Sequence, residues 1–225
     1  MLLAGRSISR SIAFALIGAV VAFWLTARAQ DVPPPPKPKD EGPSLEATMK
    51  FIQDQLNGQG NVSTIHTIHD SLKGEDSGPW KYSWEISDVA PDIQGCQMSW
   101  REVHIWPNRY WSNWDSRLSL PLRDVSRLDV LPLRDHYNRG AAKRGQPEHV
   151  SDVNPEVYAA GVYMSQGKSV LARIHKSQGE KDPTDEDVRW TDVQIQFREE
   201  QLAQRVAKAL VHAVELCGGG NKDPF

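Results

Sequence analysis

The chain predicts an α+β fold: a seven-stranded, mostly antiparallel barrel or sandwich capped by a C-terminal helix, with an additional N-terminal helix. Two periodicities carry this. Apolar residues recur every three to four positions near both ends, in Leu45–Leu56 and Leu202–Cys217. Between them the period is two, as in Trp80–Ile86 and Val193–Phe197. The third observation is core capacity. Residues 30–225 hold seven of the eight tryptophans, so this portion builds one packed core.

The first helix starts at Ser44, a good N-cap after Pro43, and presents Leu45, Met49, Ile52 and Leu56 as one stripe. Asn57-Gly58 stops it. Residues 59–79 are polar and glycine-rich, with Val62–Ile68 as a short candidate strand. Trp80, Tyr82, Trp84 and Ile86 then form the aromatic face of a half-buried strand. Cys96, Met98 and Trp100 continue the alternation, but Val103 and Ile105 fall out of phase, which predicts a bulge near Arg101-Glu102. Leu118, Leu120 and Leu122 mark the next strand, placed at an edge by Pro121. Leu128–Leu133 is another short strand.

Residues 134–156 read as a long polar loop, locally basic through Arg134, Arg139, Lys143 and Arg144. Val157–Ser165 and Ser169–His175 read as a hairpin around Gln166-Gly167-Lys168. The last strand carries Val193, Ile195 and Phe197 and begins as early as Val188. The final helix runs from Glu199, with Leu202, Val206, Ala209, Leu210, Ala213 and Cys217 on its apolar stripe, and ends at Gly218-Gly219-Gly220. The pentapeptide LPLRD occurs at Leu120–Asp124 and Leu131–Asp135. Two copies do not make a solenoid and read as similar strand ends.

Residues 1–29 have the order of a signal peptide: Arg6 and Arg10, the apolar run Ser11–Leu25, then Ala27-Arg28-Ala29. A membrane anchor made of residues 11–27 is the rival, although spanning takes roughly 20 apolar residues and the run has about 15. Residues 30–42 form a proline-rich spacer, and 43–225 a single globular domain. The expectation is a periplasmic or secreted protein. Three of the 26 Lys+Arg (Arg6, Arg10, Arg28) and none of the 29 Asp+Glu lie in residues 1–29. The remainder therefore carries 23 against 29, a net charge of −6, which argues against nucleic acid as a partner.

Export also places Cys96 and Cys217 in an oxidising compartment. Three readings stay open for them: a disulfide, two separate buried thiols, or a reactive thiol.

Seven strands followed by one amphipathic helix resemble the pleckstrin-homology-like superfold over about residues 80–217. The resemblance implies a bent, partly open barrel with the helix across one end. Its phosphoinositide-binding members use basic residues after the first strand; here Asp88–Gly95 is acidic, which disfavours that ligand. The ending Ala203–Ala213 with Leu216-Cys217-Gly218-Gly219 also resembles a family of uncharacterised exported bacterial proteins, which supplies no activity.

Chemistry is thinly signposted. His66, His69 and Asp70 are the most metal-like cluster, but an extended segment sends the two imidazoles to opposite faces, and no metal site is expected. Gly161–Ser169 imitates a phosphate loop with one residue too many, followed by a strand where a helix is needed; it reads as a turn. Trp106, Tyr110, Trp111 and Trp114 are the candidate ligand-binding residues, able to stack on sugar rings or to pack in the core. No catalytic residue and no cofactor is indicated. The expected function is a non-catalytic exported domain that binds a protein or cell-envelope component. A cell-envelope hydrolase acting on a glycan or ester is the alternative.

Overall fold

A computed structural model describes residues 42–106, 113–176 and 184–220. The signal and spacer readings over residues 1–41 lie outside the described residues. Helix α1 (Leu45–Gln59) is followed by β1 (Val62–Asp70), β2 (Glu75–Asp92), β3 (Gln97–Ile105), β4 (Trp114–Pro121) and β5 (Val125–Pro132). Then come α2 (Leu133–Lys143), β6 (Glu148–Asn154), β7 (Tyr158–Met164), β8 (Val170–Lys176), β9 (Thr184–Trp190), β10 (Asp192–Phe197) and α3 (Glu200–Leu216).

The strands form a seven-stranded sheet, β6-β1-β2-β3-β4-β8-β9, and a three-stranded sheet, β10-β7-β5. All the pairings are antiparallel, and neither sheet closes on itself: the architecture is an α+β sandwich. Gln196 on β10 reaches Tyr82 on β2, so the small sheet faces the large one. On the opposite face of β10 lie Val193, Ile195 and Phe197, where α3 packs with its buried Ala203, Val206 and Leu210. The small sheet is thus a middle layer, buried on both faces. The glutamines of β10, which periodicity alone would turn to water, face protein instead.

Both terminal helices form, but α1 runs through Asn57-Gly58 to Gln59 and stops at Gly60, whose φ of 66° only glycine adopts readily. Ser44 Oγ accepts from the Ala47 amide at 3.2 Å, the N-cap bond that starts α1. Helix α1 lies against α3 and β2. Cys96 and Cys217 are joined in a disulfide, with Cα atoms 5.7 Å apart. It ties the C-cap of α3 to the turn between β2 and β3, where Cys96 has a positive φ of 51°.

Several local expectations change. The register slip between β2 and β3 falls on β2, between Ser87 and Ala90, with Asp88 at φ 53°, and not at Arg101-Glu102. Strand β3 runs straight and buries Met98, Trp100, Glu102 and His104 in one unbroken alternation. Val103 and Ile105 are out of phase because they face the other way.

Strand β4 is central, between β3 and β8; Pro121 is simply its last residue, where a missing N–H costs little. Residues 134–156 are not a loop but α2 and the polar edge strand β6. Strands β7 and β8 are no hairpin: they belong to different sheets, and Gly167 at φ 75° sits in the turn that crosses between them. The segment before Val193 is the separate strand β9, paired with β8. Both LPLRD copies end a strand and enter a helical turn, with the second leucine of each, Leu122 and Leu133, fully buried.

Candidate functional site

The interior is zoned. Near α1 and α3 it is apolar, with Met98, Leu118 and Leu120 from β3 and β4. Farther along the same strands, the inward row turns polar. Glu102 (4% exposed), His104 (7%) and Ser116 (0%) lie on β3 and β4, and Thr64 and His66 on β1. Buried charge and imidazole persist only when partnered, and here the partners are present.

Glu102 is held at Oε2 by the Trp100 indole N–H at 3.3 Å and at Oε1 by His104 Nε2 at 3.0 Å. His104 Nδ1 lies 2.9 Å from the Tyr82 hydroxyl, which also accepts from Gln196 Nε2 at 2.8 Å. With Nε2–H donated to the carboxylate, Nδ1 is left to accept the Tyr82 proton. The result is a continuous chain, Trp100–Glu102–His104–Tyr82–Gln196, that crosses from the large sheet to the small one. Both imidazole nitrogens are used within it. Burial holds the Tyr82 hydroxyl well above its usual pKa.

Beside this chain is an open cleft of about 380 Å³ between β3, β4, α2, β9 and β10. Glu102, His104, Trp114, His136, Trp190 and Gln194 line it, with Arg189 and Asp192. Three of these side chains carry a buried polar atom that finds no hydrogen-bond partner among the described residues: Trp114 Nε1, His136 Nδ1 and Gln194 Oε1. An unmet buried group costs about 1–3 kcal/mol. Burial lowers the His136 pKa, against the pull of Asp129 and Asp192, so its ring is neutral at pH 7. It sits over Gly161 of β7, where an added Cβ would stand 3.1 Å from its Cε1 and 2.8 Å from Asp129 Oδ1. Glycine at this position therefore makes room for the imidazole.

The four aromatic candidates divide. Trp114 lines the cleft, with its ring edge-on to His104 at 4.8 Å. Trp106 packs at 4.5 Å on the Tyr82 ring and 5.9 Å from His66, in the core. Tyr110 and Trp111 lie outside the described residues. His66 is caged by Tyr82, Trp106 and Tyr137, while His69 stands at the far end of β1, bonded to Asp76. They share no site. Among the described residues, no group of three or more metal-ligating side chains gathers.

The basic residues of α2 are largely engaged. Arg139 pairs with Asp129 at 2.5 Å and Arg134 with Asp135 at 3.3 Å, while Lys143 lies over the Tyr163 ring. Gly161–Ser169 runs from β7 into β8, a strand and not a helix.

Sequence reading missed Glu102, His104, His136, Trp190 and Gln194. The available signal was the Met98-Trp100 alternation, which extends through Glu102 and His104 once polar residues are allowed inside.

Comparison with protein-family models, with characterised proteins and with solved structures finds no match for this chain.

Proposed function

We propose that this chain is a non-catalytic, exported binding domain, and that the cleft beside Trp114 and Trp190 takes up a hydroxyl-rich, glycan-like component of the cell envelope. The observation that carries the reading is one cleft lined by two indoles, an imidazole and an amide, three of which keep a buried polar atom unmet among the described residues, to be reached as a guest displaces the side chains around them. Trp114 Nε1 is a donor, Gln194 Oε1 an acceptor, and neutral His136 Nδ1 either one according to tautomer. Sugar hydroxyls donate and accept at once, which suits this mixed set. Indole rings on β4 and β9 supply apolar surface for a sugar face. The Cys96–Cys217 disulfide fits an oxidising, extracytoplasmic compartment. The pleckstrin-homology-like resemblance adds only that such sandwiches serve as binding modules.

The Glu102–His104–Tyr82 chain invites the hydrolase reading. Against it, a general base needs a nitrogen facing the substrate, and both nitrogens of His104 are taken. The chain acts as a brace that holds the cleft wall.

The test is titration of the purified protein with soluble peptidoglycan fragments and with a β-1,4-linked N-acetylglucosamine tetramer, followed by tryptophan fluorescence and calorimetry. Saturable binding is expected, weakened roughly tenfold by Trp114→Ala, the worth of one aromatic contact. No binding to either probe overturns the glycan reading. Release of reducing ends that Glu102→Gln abolishes overturns the non-catalytic one.

A further inference from the structure

A separate cluster lies at the outer end of β1. Asp76 on β2, His69 on β1 and His149 on β6 are directly opposed across three neighbouring strands, Asp76↔His69↔His149. His69 Nδ1 is 2.8 Å from Asp76 Oδ1, and His149 Nδ1 is 3.4 Å from Ser71 Oγ. The two imidazole rings face one another with centroids 5.1 Å apart and planes at 56°. Both residues reach solvent. Neither Nε2 has a hydrogen-bond partner among the described residues.

A pair of imidazoles at this spacing can share a metal ion once their Nε2 atoms turn to a common point. A carboxylate on one ring nitrogen fixes that nitrogen as N–H and leaves the lone pair on the other. Two imidazoles at ~2.0–2.1 Å from one tetrahedral ion hold their ring centres about 5 Å apart, by the geometry of the coordination shell. The site is not the one periodicity suggested. His66 points into the core, and the partner of His69 is 80 residues away in sequence, brought beside it by the pairing of β6 with β1. We propose that His69 and His149 form a two-histidine chelate for a divalent first-row transition metal. Water completes the coordination, and Asp76 is a positioning residue. Copper(II), which the general affinity order for nitrogen sites favours most, takes the pair as cis ligands of a tetragonal shell, with the two rings drawn about half an ångström closer than they stand in the metal-free chain.

The probe is Cu²⁺ alone, titrated into the full purified chain at pH 7.5 and read by calorimetry and electron paramagnetic resonance. One Cu²⁺ with two imidazole nitrogens is expected. His69→Ala and His149→Ala should each abolish that step, while His175→Ala, at another exposed histidine, keeps it. All these side chains are at the surface, and thermal melts of the metal-free variants should match wild type. Asp76→Asn should weaken binding by about 10–100-fold, with Asp76→Glu restoring most of it. A wild-type isotherm retained in His69→Ala or His149→Ala overturns the site. An Asp76→Asn isotherm equal to wild type overturns the positioning role.

Discussion

Replacing His66 by glutamine should remove a defined part of the acid sensitivity of this fold. His66 is 2% exposed and enclosed by Tyr82, Trp106 and Tyr137, with ring centroids 5.3, 5.9 and 5.7 Å away. Thr64 Oγ1, 2.8 Å from Nε2, is its hydrogen-bond partner, and among the described residues no carboxylate is bonded to it. Burial therefore lowers its pKa from 6.5 to about 4.

In the unfolded chain the ring binds a proton near pH 6.5, so between 6.5 and 4 the unfolded state holds more protons than the folded one. Stability is then fully present above 6.5 and is lost as pH falls towards 4. At 1.36 kcal/mol per pH unit the full window is worth about 3 kcal/mol, of which about 2 is lost by pH 5. Urea unfolding at pH 7.5, 6.0 and 5.0 measures it. Glutamine keeps a hydrogen bond for Thr64 but cannot take a proton, so His66→Gln should lose about 2 kcal/mol less than wild type between pH 7.5 and 5. His136, whose pKa is also lowered by burial, acts equally in both proteins and cancels in the difference. Parallel stability curves for variant and wild type would refute the reasoning.

Removing the disulfide with Cys96→Ala/Cys217→Ala should cost about 5 kcal/mol, since the bond closes a loop of 121 residues. For a domain of this size that is a Tm drop of roughly 10–20 °C in calorimetry; a drop under about 4 °C contradicts it. Leu210→Asp should prevent folding, because Leu210 is 1% exposed on the apolar stripe of α3 and the change buries an unpaired charge. Val211→Asp, at a 40% exposed neighbour, should melt near wild type by circular dichroism; equal melts for the two variants would show that α3 is not packed as described.

The two outer helices and the Trp80–Ile86 strand were legible because each buries one apolar face against the core, so amphipathicity reports the packing directly. Helix α2 was not. It buries only Leu133 and Ala141, starts at Pro132 without a side-chain cap, and carries Gly140 within it, so neither stripe nor cap marks it. The edge strands β6 and β9 are mostly exposed and polar, so β6 reads as loop and β9 only as the start of the last strand.

The cleft was hidden by a deeper assumption, that an inward row must be apolar. Glu102 and His104 occupy inward positions because Trp100 holds the first and Tyr82 the second, and Tyr82, on β2, is itself held by Gln196 from β10. Nothing in local periodicity records a partner supplied from far along the chain. The pair of cysteines was visible as a possibility, but only the fold brings their Cα atoms within bonding range.

The Cys96–Cys217 bond also ranks the parts of the molecule by how readily they come loose. A terminal helix ordinarily frays from its free end, yet the last turn of α3 is anchored to the β2–β3 turn, and Gly220 N–H is bonded to Val125 O just beyond it. Transient opening must therefore begin elsewhere, and the thinly covered margins are the candidates: β6, β9 and α2. Two of these three border the cleft. The half of the domain fastened by the bridge is expected to stay closed while the margin beside the cleft opens first, which is where a guest would enter. Amide exchange slowed in β9 and α2 by an occupant, with α3 unchanged, would be the signature of that division of labour.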